Sequence, residues 1–409
     1  MKNTWKKLGA IALVLMLMLS LSVNAFAADM DDQSGKIGEF TSAENLQVQQ
    51  NTVTIYKELI SINPTSTSVY APAISYSYSI APGAAGSTIT DSQNVQATVK
   101  AGLAGATITS SVSWTNADTD KLTTSSTGKA NRKAITVDFS GVEWTGAGVY
   151  RYVITETAPD YTASSVTEGD TSHKRYMDVY VKDKAEGGYE IYGYVCFVVN
   201  DDISSANEAA AKKTEGFVDT TDNAADKYYT YDLEISKTVV NDRAMQNHDW
   251  PFTVTFTAGT GVTATNFKLD TAFSSAALGS GYAGALTSDT PTVKHGGSVK
   301  YIGIPYGTSA TIKEKVDVAG TTYKVTSTGA DTNINDNAVV GTAAGTDTSN
   351  ATVNAQTTTS LAKKTVAVTN TMLIISPTGV VMRVAPYALM LIGGIVLLVI
   401  SRRRKVEEA

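Results

Sequence analysis

Two lysines interrupt stretches that otherwise have the pattern of buried strands. Residues two apart on a strand share a face, so Val53, Ile55, Lys57 and Leu59 lie together, as do Leu233, Ile235, Lys237 and Val239. In the same way Tyr150, Tyr152 and Ile154 lead to Glu156, and Ala310 and Ile312 lead to Glu314. Phe217 is followed two residues on by Asp219, and Val366 and Val368 by Asn370. Each half of the chain therefore turns a lysine, a glutamate and an Asn or Asp inward, in that order. Taken singly, each would be an ordinary buried salt bridge or a lysine snorkelling to solvent. The recurrence of the whole trio points to shared chemistry.

Burial disfavours charge, lowering a lysine pKa and raising a glutamate pKa by up to about 3–5 units when complete. The amine then becomes a neutral nucleophile and the carboxyl a neutral proton donor. An amine beside an Asn or Asp carbonyl can attack it while the glutamic acid relays protons. Ammonia leaves from Asn, or water from Asp, and an isopeptide bond remains. The aspartate must itself be protonated to be attacked. This is a single-turnover reaction of the fold on itself, so Glu156 and Glu314 would act as proton relays without making the chain an enzyme. Lys57 with Asp219 and Lys237 with Asn370 would be the joined pairs.

These residues require strands to hold them. The middle of the chain is rich in Thr, Val, Tyr, Ser and Gly with period-two alternation, the composition of antiparallel strands with short turns. Residues 76–80, 134–139, 150–156, 176–181 and 190–199 are predicted strands in the first half. Residues 231–240, 252–256, 311–315 and 365–369 are predicted strands in the second. The one helical patch is Ala206–Lys213, and no long amphipathic helix exists to cover a parallel sheet, so an all-β chain closing as β-sandwiches is expected. A turn-rich stretch around Thr220–Asp226 separates the halves. They look like diverged copies: residues 55–59 match 235–239, 152–156 match 310–314, and 217–220 match 368–371.

Residues 1–27 have a basic start (Lys2, Lys6, Lys7), an apolar run and a small-x-small close at Ala25-Phe26-Ala27, the pattern of a cleaved secretion signal. Residues 28–48 would form an N-terminal segment. Val384–Ile400 is just long enough to cross a bilayer. It is followed by Arg402-Arg403-Arg404-Lys405, a cluster expected to stay cytoplasmic within the tail 401–409. Immediately before it, residues 375–379 (Ile-Ser-Pro-Thr-Gly), the apolar span and the basic tail together resemble a sortase sorting signal of Gram-positive surface proteins. Ile-Ser stands where Leu-Pro is usual, while Pro377, Thr378 and Gly379 keep the pattern. The resemblance implies that a transpeptidase attacks the Thr378–Gly379 bond and passes the acyl group to an amine on another subunit or on peptidoglycan.

The chain as a whole resembles the streptococcal pilin isopeptide-linkage family, backbone pilins built from tandem immunoglobulin-like sandwiches. The resemblance covers about residues 49–371 and rests on residues 231–239, 304–308, 312–314 and 368–371 in the second half, and 148–156 in the first. It implies a first sandwich over 49–222, a second over 228–371, a Lys237–Asn370 bond assisted by Glu314, and a Lys57 bond assisted by Glu156. Asp219 departs from the usual Asn, and Asn200 and Asn223 stand nearby as alternative acceptors. It also implies a lysine that receives the Thr378 acyl group, for which Lys212, Lys213 and Lys182 (the last in Val179-Tyr180-Val181-Lys182) are the candidates. The expected partners are a sortase, other pilin subunits and peptidoglycan at the cell wall. The alternative is a monomeric wall-anchored adhesin using the same scaffold to bind a host or matrix ligand.

Composition excludes several other classes. The 409 residues carry 33 Lys and Arg against 39 Asp and Glu, a net charge of −6, and removing the two basic ends leaves the remainder more acidic. That balance argues against nucleic-acid binding. One cysteine, Cys196, permits neither a disulfide framework nor a Cys-based zinc site. Three scattered histidines (His173, His248, His295) leave little material for metal or His-base catalysis, so no cofactor and no metal are expected. Gly279–Gly284 matches G-x-G-x-x-G but lacks a following helix, which makes it a loop.

Overall fold

The computed structural model describes residues 51–86, 88–90, 96–198, 212–220, 224–274, 277–278, 284–316, 323–334, 339–340, 346–373, 387 and 389–402. The expected secretion signal, the segment 28–48, Asn200, Asn223, the sorting signal with Pro377, Thr378 and Gly379, and tail residues 403–409 lie outside the described residues. The principal strands are β1 (Thr52–Ile62), β2 (Ile74–Pro82), β3 (Lys129–Asp138), β4 (Gly148–Thr157), β5 (Lys174–Asp183), β6 (Tyr189–Val198) and β7 (Asp226–Val240). They continue with β8 (Trp250–Thr257), β9 (Ser298–Pro305), β10 (Ser309–Val316), β11 (Tyr323–Thr328), β12 (Thr346–Val353) and β13 (Lys364–Met372). The all-β expectation is met, and every strand expected from alternation falls on one of these. The helical expectation for Ala206–Lys213 is corrected only at its end, where Lys212–Lys213 pair as a short strand with Phe197 and Val198; residues 206–211 lie outside the described residues. At these two lysines the open edge beside Phe197 and Val198 supplies the backbone partners that the last residues of a two-turn helix would lack. Residues 389–402 are helical. Among the described residues no helix is long and apolar enough to cross a membrane; residues 384–386 and 388 of the expected span lie outside them.

In the first half, β1 pairs antiparallel with β3 on one sheet, and β6, β5, β4 and β2 follow one another in a second. In the second half, β9, β7, β13 and β11 share a sheet while β8, β10 and β12 form another. Alternation supplies the packing: Val53, Ile55, Ile135 and Val137 meet Tyr76, Tyr152, Ile154 and Met177, and Leu233, Ile235, Val299 and Val366 join Phe252, Val254 and Ile312, all buried. Each such side chain withdrawn from water stabilises by about 1.5–3 kcal/mol.

The two halves share β7. Its first residues run parallel to β1, with Leu59 opposite Asp226 and Ile62 opposite Tyr229. Its later residues run parallel to β13, with Leu233 opposite Lys364 and Val239 opposite Asn370. Asp226, at the end of the turn-rich stretch, opens a strand of 15 residues. Burial along it changes phase: Asp226, Tyr228 and Thr230 are inward first, then Tyr231, Leu233, Ile235, Lys237 and Val239. One face of the strand serves the first core and the other face the second, and residues 230–233 between them are all buried.

The crossover is held by Asp232, where pairing with β9 slips by one residue beside Gly303. Gly303 has φ +83, a conformation that costs glycine little. Its N–H donates to Asp232 Oδ1 at 3.2 Å. From the first half, Asn63 Nδ2 donates to Oδ1 at 3.0 Å, and Ser66 Oγ and Thr65 Oγ1 donate to Oδ2. Lys300 Nζ lies 3.1 Å from Oδ2. Burial alone would raise the Asp232 carboxyl pKa, but these hydrogen bonds and the lysine charge outweigh it and hold it below the usual carboxylate range. The stability it contributes is in place above the unfolded carboxylate pKa and is lost as pH falls through the depressed folded value. Asp232→Ala should cost about 3 kcal/mol, and chemical denaturation should show this loss shrinking at acid pH, where the wild type also forfeits the interaction.

Candidate functional site: two buried amine–carboxyl clusters

In the second half, β7 and β13 lie side by side and β10 faces them from the other sheet. Lys237 sits two residues before Val239, the partner of Asn370, so lysine and asparagine are diagonal neighbours on one face. Glu314 projects from β10. All three are essentially without solvent exposure. Lys237 Nζ forms an ion pair with Glu314 Oε1 at 2.7 Å, and Asn370 Nδ2 donates to the same oxygen at 3.1 Å. Trp250 covers the amine, its ring centroid 4.8 Å from Nζ. Burial lowers the Lys237 pKa to about 8, with the Glu314 charge opposing the fall. Asn370 Oδ1 is buried and accepts no hydrogen bond, which leaves the electrophilic amide poorly satisfied beside an amine close to neutrality. A half-turn of the amide would bring that oxygen to Glu314, where a protonated carboxyl could donate to it; the two ends of an amide are nearly isosteric.

The first half repeats this arrangement with one substitution. Lys57 on β1 and Glu156 on β4 are buried, and Nζ donates to Glu156 Oε1 at 2.9 Å. The other contact of the amine is Asp226 Oδ2, also at 2.9 Å. Lys57 sits two residues before Leu59, the partner of Asp226, so Asp226 occupies the place that Asn370 holds in the second half. Tyr78 donates to Glu156 Oε2 at 2.7 Å and Tyr161 to Asp226 Oδ2 at 3.2 Å, while the Gly169 N–H donates to Asp226 Oδ1 at 2.8 Å. The Tyr76 ring lies under the amine, 4.0 Å from centroid to Nζ. Burial first, and the neighbouring Glu156 charge next, push the Tyr78 phenol far above its ordinary range, so it serves as a donor only.

Asp219 is not at this site. It is exposed, its Oδ1 accepts from the Ala225 N–H at 2.9 Å, and its own N–H donates to Glu58 Oε1 at 3.2 Å. The reason is a detour. Gly216–Phe217 forms a short parallel strand in which Phe217 lies opposite Lys57, matching the pairing of Val368 with Lys237. Counting two residues on would make Asp219 the equivalent of Asn370. The chain instead leaves the ladder after Phe217 and returns to it at Asp226. Gly216 makes the entry possible: its φ is +130, and a Cβ there would meet Tyr56 O at 2.5 Å.

Two further groups border the first cluster, the buried Arg175 and the partly exposed His173. Arg175 donates to Gly216 O and to Asp170 Oδ2, each at 2.6 Å, and lies over the Phe217 ring. His173 approaches Glu156 from the solvent side, with Nδ1 3.4 Å from Oε1. Asp226 could have been found from the alternation of Asp226, Tyr228 and Thr230 before the strand expected at Tyr231; for His173 no sequence signal existed. Of the candidate linking lysines, Lys182 is 55% exposed and pairs with Glu190 Oε1 at 3.0 Å. Only the backbone of Lys212 and Lys213 is described. Cys196 is fully buried, and burial pushes its thiol pKa up to about 12, which leaves it inert.

Should the amine of Lys57 react, the geometry names its acceptor. Asp226→Ala should abolish any Lys57 cross-link and Asp219→Ala should leave it intact, as read by tandem mass spectrometry of the proteolysed chain. A link at Asp219 would contradict this assignment.

Residues 231–372 match a family model described as Domain of unknown function (DUF7601), a segment that encloses Lys237, Glu314 and Asn370. No curated protein sequence matches the chain. Among solved structures, it is similar to the major pilin from Streptococcus pyogenes, with 19% identity, 80% of this chain and 99% of that chain covered, and a TM-score of 0.37. It is also similar to the T-13 major pilin from Streptococcus pyogenes serotype GAS131465, with 19% identity, 79% and 99% coverage and a TM-score of 0.35. A pilus-presented adhesin is similar at 15% identity, covering 48% of this chain and 36% of that chain, with a TM-score of 0.25.

Proposed function

We propose that the chain is a structural subunit of a Gram-positive pilus. In this reading it is polymerised and wall-anchored by a sortase at Thr378, and each of its two immunoglobulin-like domains is stapled by a self-formed isopeptide bond, Lys237–Asn370 in the second and Lys57–Asp226 in the first. The observation that carries the reading is the pair of buried clusters, in which an amine, a carboxyl and an acyl acceptor meet in the same strand register twice. An uncompensated buried lysine is costly; an amide bond removes that cost permanently. In the second domain, Lys237 loses its proton to Glu314 and attacks Asn370 Cγ. Glu314 returns that proton to the departing nitrogen and relays to it the second proton that the attacking nitrogen gives up, so the nitrogen leaves as ammonium. In the first, the amine attacks the Asp226 carboxyl and water leaves.

Each bond would close a loop of well over a hundred residues, which stabilises by about 5 kcal/mol if the chain-entropy model for disulfides carries over. The mechanical result is greater. Asp226 and Lys237 lie on one continuous strand, so tension entering at Lys57 would cross to Asp226, run along β7 to Lys237, cross to Asn370 and leave toward Thr378. Neither core lies on that path. A protein without disulfides could bear load this way.

Intact mass of the soluble region should fall short of the sequence mass by one ammonia and one water. Glu314→Ala should restore the ammonia alone and lower the melting temperature. Boiled cell-wall extracts should give a ladder of high-mass species that collapses when the Thr378–Gly379 site is changed. A mass equal to that of the sequence would sink the cross-links, and a single anchored species without a ladder would favour a monomeric adhesin.

A further inference from the structure

The two clusters differ by one charge, and the structure supplies a residue that answers it. Lys237, Glu314 and Asn370 together are neutral when the lysine is protonated and the glutamate ionised. Lys57, Glu156 and Asp226 in the same states carry a net negative charge. Attack on an amide needs only a neutral amine and a neutral glutamic acid, two states reached by passing one proton from lysine to glutamate. Attack on an acid needs Asp226 protonated as well, and three groups that share only the lysine's surplus proton cannot all be neutral. One more proton is required, in a place solvent does not reach.

His173 stands where that proton could be held. Its Nδ1 is buried, 3.4 Å from Glu156 Oε1, at ion-pair distance but without hydrogen-bond alignment. Its Nε2 lies 2.7 Å from Glu168 Oε1. The imidazole is 19% exposed and the Glu168 side chain 39%, so the ring spans from the cluster to solvent. The charged groups facing it are Glu156 from β4, and Glu168 and Asp170 from the segment before β5, with Asp170 already paired to Arg175. The backbone of His173 is held at φ +48, a left-handed conformation that histidine, like asparagine and aspartate, adopts more readily than most side chains, and its carbonyl accepts the Glu156 N–H at 2.8 Å. The close approach of Glu156, with the hydrogen bond to Glu168, raises the imidazole pKa to about 8 against the opposing effect of burial. A histidine there is protonated at neutral pH.

We propose that His173 is a positioning and proton-holding residue specific to the first-domain reaction, required because its acceptor is an acid rather than an amide. The inference rests on the cross-linking reading above. The proton of His173 passes through Glu156 to the Lys57–Asp226 pair, so that amine, glutamic acid and aspartic acid are neutral together. Lys57 Nζ bonds to Asp226 Cγ, and one carboxyl oxygen departs as water with two protons. Glu156 is left protonated and returns its proton to His173. Atoms and charge balance, and the histidine is regenerated.

The test follows both bonds in one full-length chain, synthesised cell-free and diluted at once into buffers between about pH 6 and pH 9, across the imidazole range. Cross-linked peptides are quantified against time by mass spectrometry. His173→Asn keeps a residue that tolerates the left-handed backbone but carries no proton. It should slow Lys57–Asp226 formation roughly a hundredfold at neutral pH, the scale of a lost proton relay, and leave Lys237–Asn370 unchanged. In the wild type the first bond should form more slowly as pH rises through about 8; in His173→Asn that inflection should vanish, leaving a residual rate that falls smoothly from acid to alkaline pH. His173→Lys, which restores the charge, should recover part of the rate without the decline near 8. Wild-type rate and pH profile in His173→Asn would overturn the proposal, as would equal slowing of both bonds. Loss of ammonia without loss of water in the wild type would instead overturn the first-domain cross-link itself, and the role of His173 with it.

Discussion

A lysine amine taken out of water must find a counter-charge, and the rest of this fold is arranged around that demand. Lys57 and Lys237 sit on strands whose neighbours in the sheet are apolar, and each meets a glutamate from the facing sheet across the core. Such pairs recover only part of the desolvation they suffer. Their persistence in two cores, in the same register, is the constraint from which sheet order and strand direction follow. The glutamate must come from the opposite sheet. The acceptor must come from a strand parallel to the lysine's own, because only there does a residue two steps along lie diagonally across from the amine.

That requirement accounts for β7. A parallel neighbour of the first strand is the last strand of each half, and the last strand of the first half runs on without a break into the first strand of the second. Asp226 and Lys237 are 11 positions apart (237 − 226), an odd offset, so the two face opposite sides of the ribbon, each toward its own core. The crossover between faces needs a polar fixture, and Asp232 supplies it with donors from both halves. In the proposed reading this same strand is the covalent bridge between two staples, which ties the mechanical role to the local alternation of side chains.

The choice of acid or amide as acceptor also propagates outward. An asparagine leaves the second cluster neutral and closed over by Trp250. An aspartate adds charge, and around it the first half gathers Tyr161, the Gly169 N–H and the His173–Glu168 pair. A single difference in side-chain chemistry thus coincides with a more polar, more connected surround.

Much of this was legible in the chain itself. Period-two alternation located the strands, because a half-buried strand must put apolar groups on every second residue, and the same alternation exposed Lys57, Glu156, Lys237, Glu314 and Asn370 as misfits on apolar faces. It even gave the correct equivalence of Phe217 with Val368. What alternation cannot encode is where a chain leaves a ladder and where it comes back. Asp219 keeps the right count from Phe217, yet it lies at the surface and Asp226 takes its place. His173 likewise lies on no repeating pattern. Sequence by itself determined which side chains face inward, since that is a property of neighbours along one strand; which of them meet was decided by the pairing of strands far apart in the chain, since contact across a sheet depends on register and on every detour between.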